Sequence, residues 1–182
     1  MKKAIAMVEM NTVTSGFLAA DMILKAAEVE IIFAKTVCPG KYLICFCGEI
    51  SAVKSSHDAA CSSYGENVAD SFVLGNPHES LFGAIMGVSA ADKMQALGII
   101  ETYSSASAVT AADTAAKTAI VELVEVRLAV GMCGKSYVLY TGGVAAVTAA
   151  TQRVKDELKD SGMLLDCAVI ANPDKNLAQS IF

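Results

Sequence analysis

The sequence has little charge and no tryptophan, and it lacks the long apolar runs that mark membrane helices. Only 18% of the 182 residues are charged, whereas 54% are hydrophobic and the mean hydropathy is +0.48. No apolar run reaches the roughly 20 residues that a membrane span requires, because Glu, Lys or Asp interrupts the longest ones. We therefore expect the apolar residues in a core and in contacts with partner chains, and we predict no membrane partner.

Signatures of nucleic-acid binding and of the common catalytic sites are also absent. The formal net charge is −5, and no basic patch that would attract nucleic acid is present. The sequence contains no phosphate loop, dinucleotide fingerprint or HExxH motif. The two histidines, His57 and His78, stand in no Ser, Cys or carboxylate arrangement that resembles a catalytic triad. These absences predict no nucleic-acid partner and a protein that is not an enzyme.

The first residues weakly imitate a signal peptide, since two lysines precede an apolar stretch. Glu9 and Asn11 interrupt that stretch early. A buried first strand and a location in the cytoplasm are therefore expected.

Cysteine is well represented, but no two cysteines form a CxxC pair. Without a secretion signal we expect reduced thiols and no disulfides. Cys45 and Cys47 alternate on one predicted strand face, and Cys61 and Cys167 lie in apolar elements. We expect these four to pack as small hydrophobic side chains. The other two, Cys38 and Cys133, fall in loops.

An internal repeat organises the whole chain. With an offset of 92, residues 4–35 match residues 96–127 at ten of 32 aligned positions, including Ala19-Ala20-Asp21 with Ala111-Ala112-Asp113. After Lys35 the offset becomes 94, because the second copy has two more residues in the following loop. The scaffold is thus duplicated while one loop is altered, which is typical of a functional loop on a fold.

Each copy reads as β-α-β-β-α-β, the ferredoxin-like arrangement of the α/β (α+β) class. We predict two domains, 1–91 and 92–182, with a boundary near residues 89–94. In the first helix, predicted over 15–27, Thr14 or Ser15 is the expected cap. Four residues at helical spacing predict its apolar face: Phe17, Ala20, Leu24 and Ala27. The remaining elements are predicted at 4–10, 29–37, 42–47, 50–64, 69–75, 96–102, 106–119, 122–129, 136–141, 144–160 and 165–171, with a short helix after Pro77.

The repeated pattern resembles a known family. Ala-Ala-Asp-x-x-x-Lys-x-Ala occurs at 19–27 and at 111–119, after a strand that ends in Glu and before Val-Glu and a hairpin with a Gly-Lys turn. These features resemble the bacterial microcompartment (BMC) shell domain in its tandem, trimer-forming version. The resemblance implies a homotrimer of six domains around a central opening, packed edge to edge with other BMC shell proteins around encapsulated enzymes, some of them redox enzymes.

The resemblance also implies a cofactor at the loop that carries Cys38. One thiol cannot hold an iron–sulfur cluster, but a threefold axis would bring three copies of Cys38 together, enough to ligate three irons of one [4Fe–4S] cluster per trimer. Cys133 is either a further ligand or an inert neighbour. The candidate pore-lining residues are Val37, Pro39, Gly40, Met132, Cys133 and Gly134.

Alternatives to this reading remain open. Cys38 could be an ordinary thiol lining an opening that passes metabolites, or the chain could be a duplicated ferredoxin-like protein that binds a small molecule. Lys25 and Lys117 lie four residues after Asp21 and Asp113, which suits helix salt bridges. The resemblance instead implies that both lysines lie at the edge of the flat trimer, or tile, where it meets neighbouring shell proteins.

Overall fold

The computed structural model describes residues 4–88 and 94–181. No helix within these ranges is both long and apolar enough to cross a membrane. The elements, in chain order, are β1 Ala4–Met10, α1 Val13–Ala26, β2 Val29–Val37, β3 Lys41–Gly48, α2 Ile50–Tyr64, β4 Val68–Leu74, α3 Ser80–Ile85, β5 Ala96–Thr102, α4 Ser105–Thr118, β6 Val121–Arg127, β7 Ser136–Gly142, α5 Val144–Leu158, β8 Leu164–Ile170 and α6 Lys175–Ile181. The predicted ferredoxin-like order is confirmed in both copies, and the bounds differ from the predicted ones by a few residues at most.

Two antiparallel sheets have the same strand order and the same register. The first is ordered β2-β3-β1-β4 and the second β6-β7-β5-β8. Ala4 pairs with Gly48 as Ala96 pairs with Gly142, and both first strands shift register just after their glutamate. The sequence repeat is therefore a structural duplication that extends to the position of this register shift.

The chain divides into two compact units that do not follow the sequence repeat throughout. The first unit runs to Pro77 and also includes Ser104–Ser107 and Ala129–Gly134. The start of α4 and the loop that carries Cys133 thus belong to the first unit. The predicted boundary between residues 91 and 92 lies outside the described residues and stays a prediction.

Helix α1 buries a different face from the one predicted. Its buried residues are Ser15, Gly16, Ala19 and Ile23, whereas Phe17 and Leu24 are 62% and 51% exposed. The small residues let the helix approach the sheet closely, because a Cβ on Gly16 would lie 2.5 Å from three atoms of Tyr42. Phe17 and Leu24 are left outside the unit's core, although the Phe17 ring still lies 5.0 Å from the Tyr42 ring.

The cap of α1 also differs from the prediction. The helix begins two residues earlier than expected, and Thr12 Oγ1 accepts a hydrogen bond from the Ser15 backbone N–H at 3.2 Å. Thr12 is extended and satisfies an otherwise orphaned helix donor, as an N-cap does. Neither Thr14 nor Ser15 is the cap, because both lie inside the first helical turn.

The second unit is built around a buried tyrosine. Tyr140 on β7 is fully buried, and its hydroxyl contacts Thr151 Oγ1 on α5. Gly98 on β5 makes room for the ring, since a Cβ there would lie 2.2–2.8 Å from Tyr140. Burial raises the pKa of Tyr140 to about 12, so the phenol stays neutral and pairs with a neutral hydroxyl.

Gly16→Ala is expected to lower the free energy of unfolding. The new methyl would overlap Tyr42 Cβ, Cγ and Cδ1, and such overpacking costs about 1–3 kcal/mol. The higher helix propensity of alanine offsets only about 1 kcal/mol of that loss. Urea denaturation followed by circular dichroism measures the difference.

Gly83→Ala is the matched control in another helix, α3. A Cβ there meets only the Val88 carbonyl oxygen, at an ordinary 3.5 Å. This variant should be neutral or stabilised by up to about 1 kcal/mol. If Gly16→Ala proved as stable as Gly83→Ala, the close approach of α1 to Tyr42 would not constrain the fold.

Candidate functional site

Cys38 lies at the tip of the β2–β3 hairpin. It follows Val37, which is buried at the end of β2, and it is itself half-buried. The next two residues, Pro39 and Gly40, are exposed, and the Cys38–Pro39 peptide is cis. Gly40 has φ +110°, a conformation that favours glycine, and its N–H donates to the Val37 carbonyl oxygen at 2.9 Å. The turn therefore holds the Cys38 thiol at the end of the hairpin and outside the core.

A second loop lies against this turn within the first unit. A Cβ on the buried Gly134 would lie 3.1 Å from Pro39 Cδ and 3.4 Å from the Cys38 carbonyl oxygen. Cys133, directly before Gly134, is exposed and has φ +52°. The altered loop of the repeat thus packs on the Cys38 turn and brings a second accessible thiol to the same part of the unit.

The thiols of one chain do not complete a metal site. Within residues 4–88 and 94–181, no group of three or more His, Cys, Asp or Glu side chains could hold a metal ion. Cys45 is buried, and burial raises its pKa to about 12, which keeps it protonated and unsuited to binding metal. The accessible thiols Cys38 and Cys133 have the right donor chemistry for iron. Equivalent loops from several chains would have to supply the full ligand count.

A buried glutamate ties the start of α4 to the first sheet. Glu9, at the end of β1, is fully buried, and its Oε1 accepts from Lys41 Nζ at 2.8 Å. Its Oε2 accepts from the backbone N–H groups of Ser105 and Ala106, at 2.7 and 3.3 Å. A carboxylate on the first N–H groups of a helix satisfies orphan donors and is favoured by the helix dipole. The charge of Glu9 is thus compensated from both sides.

Asp70 on β4 holds the same helix start from the neighbouring strand. It pairs in register with Glu9, and its Oδ2 accepts from the hydroxyls of Ser104 and Ser107, the latter at 2.6 Å. Ser104 in turn accepts from the Ser107 backbone N–H at 3.1 Å, as an N-cap does. We call Glu9, Lys41 and Asp70 the first acidic cluster. Residues 104–107 donate hydrogen bonds to both of its carboxylates.

The second unit has two acids and a lysine at the corresponding positions. Glu101 contacts Lys135 at 3.1 Å and pairs in register with Asp166. The Glu101 side chain is 30% exposed, and Asp166 is exposed with Oδ1 accepting from the Cys167 N–H. In the part of the chain that the structure describes, no helix start donates to either carboxylate. We call Glu101, Lys135 and Asp166 the second acidic cluster.

The two helix lysines are not equivalent in their surroundings. Lys25 contacts Asp21 at 2.6 Å, and both side chains are mostly exposed. Lys117 also pairs with its aspartate, but Asp113 is buried and accepts the His78 backbone N–H at 2.7 Å. The predicted i,i+4 salt bridges are present in both helices. The tile-edge role of Lys25 and Lys117 stays a prediction.

The histidines differ from the prediction in one case. His78 Nδ1 contacts Ser80 Oγ at 2.8 Å at the start of α3, a structural role. No triad-like arrangement was expected around His57, yet it contacts a carboxylate, a thiol and a hydroxyl, those of Asp58, Cys61 and Ser71. The i,i+4 spacing of His57 and Cys61 on a helix was the sequence feature that could have revealed the pair. Ser71 comes from another element and could be found only in the fold.

The chain is similar to known proteins over almost its whole length. The BMC domain family matches residues 4–77 and 96–173. The bacterial microcompartment shell protein PduT of Citrobacter freundii is 37% identical over 177 residues, which cover 97% of this chain and 96% of that protein. A microcompartment protein from Desulfitobacterium hafniense has a structure with a TM-score of 0.86 and 43% identity, covering 98% of this chain and 99% of that one. A fused permuted hexameric shell protein from the RMM microcompartment shares the fold, with a TM-score of 0.66, 21% identity, and coverage of 88% of this chain and 83% of its own.

Glu9→Gln is expected to destabilise the protein strongly. The amide would keep the shape but leave Lys41 without its charge partner, and breaking a buried ion pair costs about 3–5 kcal/mol. Asp21→Asn breaks the exposed Lys25 pair instead and should cost less than about 1 kcal/mol. Denaturant unfolding of both variants gives the comparison. Equal stability losses would mean that Glu9 is not the buried anchor described above.

Proposed function

Because the chain belongs to the BMC domain family and is a structural subunit of a bacterial microcompartment shell, not an enzyme, we propose that three copies form one tile in which their Cys38 thiolates hold a shared [4Fe–4S] cluster. The observation that carries this proposal is the position of Cys38, an accessible thiol on a hairpin tip against which the second loop packs. A threefold arrangement would supply three thiolates from three chains. The likeness to PduT over nearly the whole chain is compatible with it.

The two acidic clusters support the head-to-tail contact that the tile requires. The first acidic cluster accepts hydrogen bonds from Ser104–Ser107, at the start of α4. Under the repeat offset of 92, the corresponding residues at the start of α1 are Thr12–Ser15, and the second cluster has the corresponding acids. A second copy of the chain could place its residues 12–15 on Glu101 and Asp166. Such a contact joins two different surfaces, and it gives a closed ring when the rotation between successive copies closes. With two domains per chain, a six-domain ring needs three chains.

In such a tile the chain's own residues do the following. Cys38 would bind iron, and Pro39 and Gly40 would fix the turn that presents it. Met132 and Cys133 would line the opening beside it, with Cys133 as a further candidate ligand, whereas the predicted pore-lining residues Val37 and Gly134 are buried within the chain. A bound [4Fe–4S] cluster supplies one-electron redox chemistry. The function would then be electron transfer across the shell, with redox enzymes inside as partners.

The tile would meet other BMC shell proteins along its edges. Lys25 is well suited to such a contact, because its side chain is 72% exposed and its charge is only locally paired with Asp21. Lys117 keeps 42% of its side chain exposed while its aspartate is buried, which fixes the lysine's position. Exposed apolar residues of α1, Phe17 and Leu24, add surface that a neighbour can cover.

Cys38→Ser is expected to abolish iron binding and leave the trimer intact. The hydroxyl is a far poorer iron ligand than a thiolate, whereas the turn that carries it is retained. Protein purified without oxygen should contain about four irons and four acid-labile sulfides per trimer, lost in the variant. Iron and sulfide analysis together with light scattering gives both readouts.

Cys133→Ser is the matched control, since that thiol is the more exposed of the two. Loss of iron in both variants would make Cys133 a ligand as well. Full iron content in Cys38→Ser would overturn the cluster assignment. Absence of iron in the unmodified protein after reconstitution would favour the second candidate function, a tile whose central opening passes metabolites.

Asp166→Ala combined with Glu101→Ala is expected to weaken the trimer, because both carboxylates that would receive the helix start of a second copy are removed. Asp166 is exposed, and Glu101 is half-buried in an ion pair with the partly exposed Lys135, so both acids contribute little to the stability of their own unit. Sedimentation velocity over a dilution series should show dissociation at concentrations where the unmodified chain stays trimeric. An Asp174→Ala and Asp160→Ala double variant keeps the same change of charge. An unchanged trimer in the Asp166 and Glu101 variant would contradict the proposed contact.

A further inference from the structure

Four polar side chains meet where α2 packs against the edge strand β4. His57 Nε2 lies 3.0 Å from Ser71 Oγ and 3.6 Å from Cys61 Sγ. Its Nδ1 lies 3.1 Å from Asp58 Oδ1, and Cys61 Sγ is 3.8 Å from Ser71 Oγ. The imidazole thus has a carboxylate on one ring nitrogen and a thiol and a hydroxyl on the other. The loops that carry Cys38 and Cys133 contribute nothing to this cluster.

The cluster lies at the boundary between core and solvent. Cys61 is half-buried and packs against the edge of the first unit's hydrophobic core. The His57 side chain is 16% exposed and that of Asp58 75% exposed. Because Cys61 is only half-buried, a small molecule can reach this residue, while contacts with Asp58 and Ser71 hold the imidazole of His57 in place.

The electrostatics of the pair favour an activated thiol. The hydrogen bond with His57 lowers the pKa of Cys61, against the opposing effect of burial. The hydrogen bond with Cys61 raises the pKa of His57, burial opposes it, and Asp58 reinforces it. Both directions correspond to a thiolate beside an imidazolium, the pairing that makes cysteine nucleophilic.

The duplicated fold does not require this arrangement. Helices α2 and α5 correspond with an offset of 94, so Thr151 and Lys155 occupy the places of His57 and Cys61. Strands β4 and β8 correspond with an offset of 96, which places Cys167 at the position of Ser71. The second copy forms the same helix and strand with a different set of side chains. The histidine–cysteine pair is therefore an addition to one copy and not a condition of the fold.

We propose that Cys61 is a redox-responsive nucleophile, activated by His57, that small uncharged hydroperoxides oxidise to a sulfenic acid. The half-burial of the sulfur excludes bulky reagents, and the exposed carboxylate of Asp58 beside the imidazole disfavours anionic ones. Ser71 lies within reach of the sulfur and can hydrogen-bond the oxygen that is added.

The proposed step balances without a further reactant. The thiolate sulfur attacks one oxygen of the hydroperoxide, the S–O bond forms and the O–O bond breaks. The other oxygen leaves and takes the proton of the His57 imidazolium, which gives water from hydrogen peroxide or an alcohol from an organic hydroperoxide. Sulfur loses two electrons and the peroxide gains them. His57 acts here as proton donor and as the group that holds the sulfur ionised.

The test compares Cys61 with Cys167. Cys167 is also half-buried, and it lies on β8 at the position that Ser71 has on β4. The purified full chain is treated with hydrogen peroxide, labelled with dimedone and digested, and each cysteine peptide is quantified by mass spectrometry. Cys61 should be labelled several-fold faster than Cys167, and the buried Cys45 should stay unlabelled. His57→Gln should reduce the rate at Cys61 to that of Cys167 while leaving Cys167 itself unchanged.

A pH profile separates activation from simple exposure. The charged and titratable groups that face Cys61 are His57 and Asp58 on α2, with Asp70 next to Ser71 on β4. Because His57 lowers the pKa of Cys61, the pH midpoint for alkylation by iodoacetamide should rise in His57→Gln. Asp58→Asn, at an exposed position, removes a negative charge that raises the pKa of Cys61, so the midpoint should not rise in that variant. Equal rates at Cys61 and Cys167 in the unmodified chain, or an unshifted midpoint in His57→Gln, would overturn the proposal.

Discussion

The buried carboxylate of Glu9 is the interaction on which the arrangement of the first unit depends. An unpaired charge in that position would cost several kcal/mol, so it requires compensation. Lys41 supplies a cation from the strand that follows the Cys38 turn, and the backbone N–H groups of Ser105 and Ala106 supply a helix start. The same residue therefore links the hairpin that carries the thiol to the beginning of α4. This explains why residues 104–107 belong to the first compact unit although the repeat assigns them to the second copy.

Duplication makes the differences between the copies informative. Both copies keep the strand order, the register and the glutamate–lysine pair at the end of the first strand. They differ in the loop between the second and third strands, which is longer in the second copy and packs on the Cys38 turn of the first unit. They also differ at the His57–Cys61 pair, which only one copy has. The chemistry that we propose for this chain thus lies where one copy departs from the other, while features shared by both copies maintain the fold.

Prediction from the sequence succeeded for features that a local residue pattern specifies, such as the order of the strands and helices. It failed for features that depend on tertiary packing, such as the buried face of α1. The alternating apolar strands and the repeat offset fixed the order of elements, because hydrogen-bonded strands and helices have set periods. The apolar face of α1 was wrong, because the tight contact of Gly16 with Tyr42 turns a face of small residues inward and leaves Phe17 outside. The cap at Thr12 was missed because Thr12, Thr14 and Ser15 are chemically equivalent candidates, and only the backbone conformation distinguishes them.

The features of the candidate site also fall into those that the sequence predicted and those that only the fold revealed. The sequence by itself determined the duplicated ferredoxin-like fold, the family resemblance and the turn that exposes Cys38, because these follow from periodicity, from identities at a constant offset and from the conformations of Pro39 and Gly40. Only the tertiary structure decided that Cys133 shares a surface with Cys38, that Glu9 holds a helix start nearly a hundred residues away, and that Ser71 completes the group around His57. The reason is that these contacts join elements distant in sequence, whose approach depends on the packing of whole sheets and helices and on no local pattern.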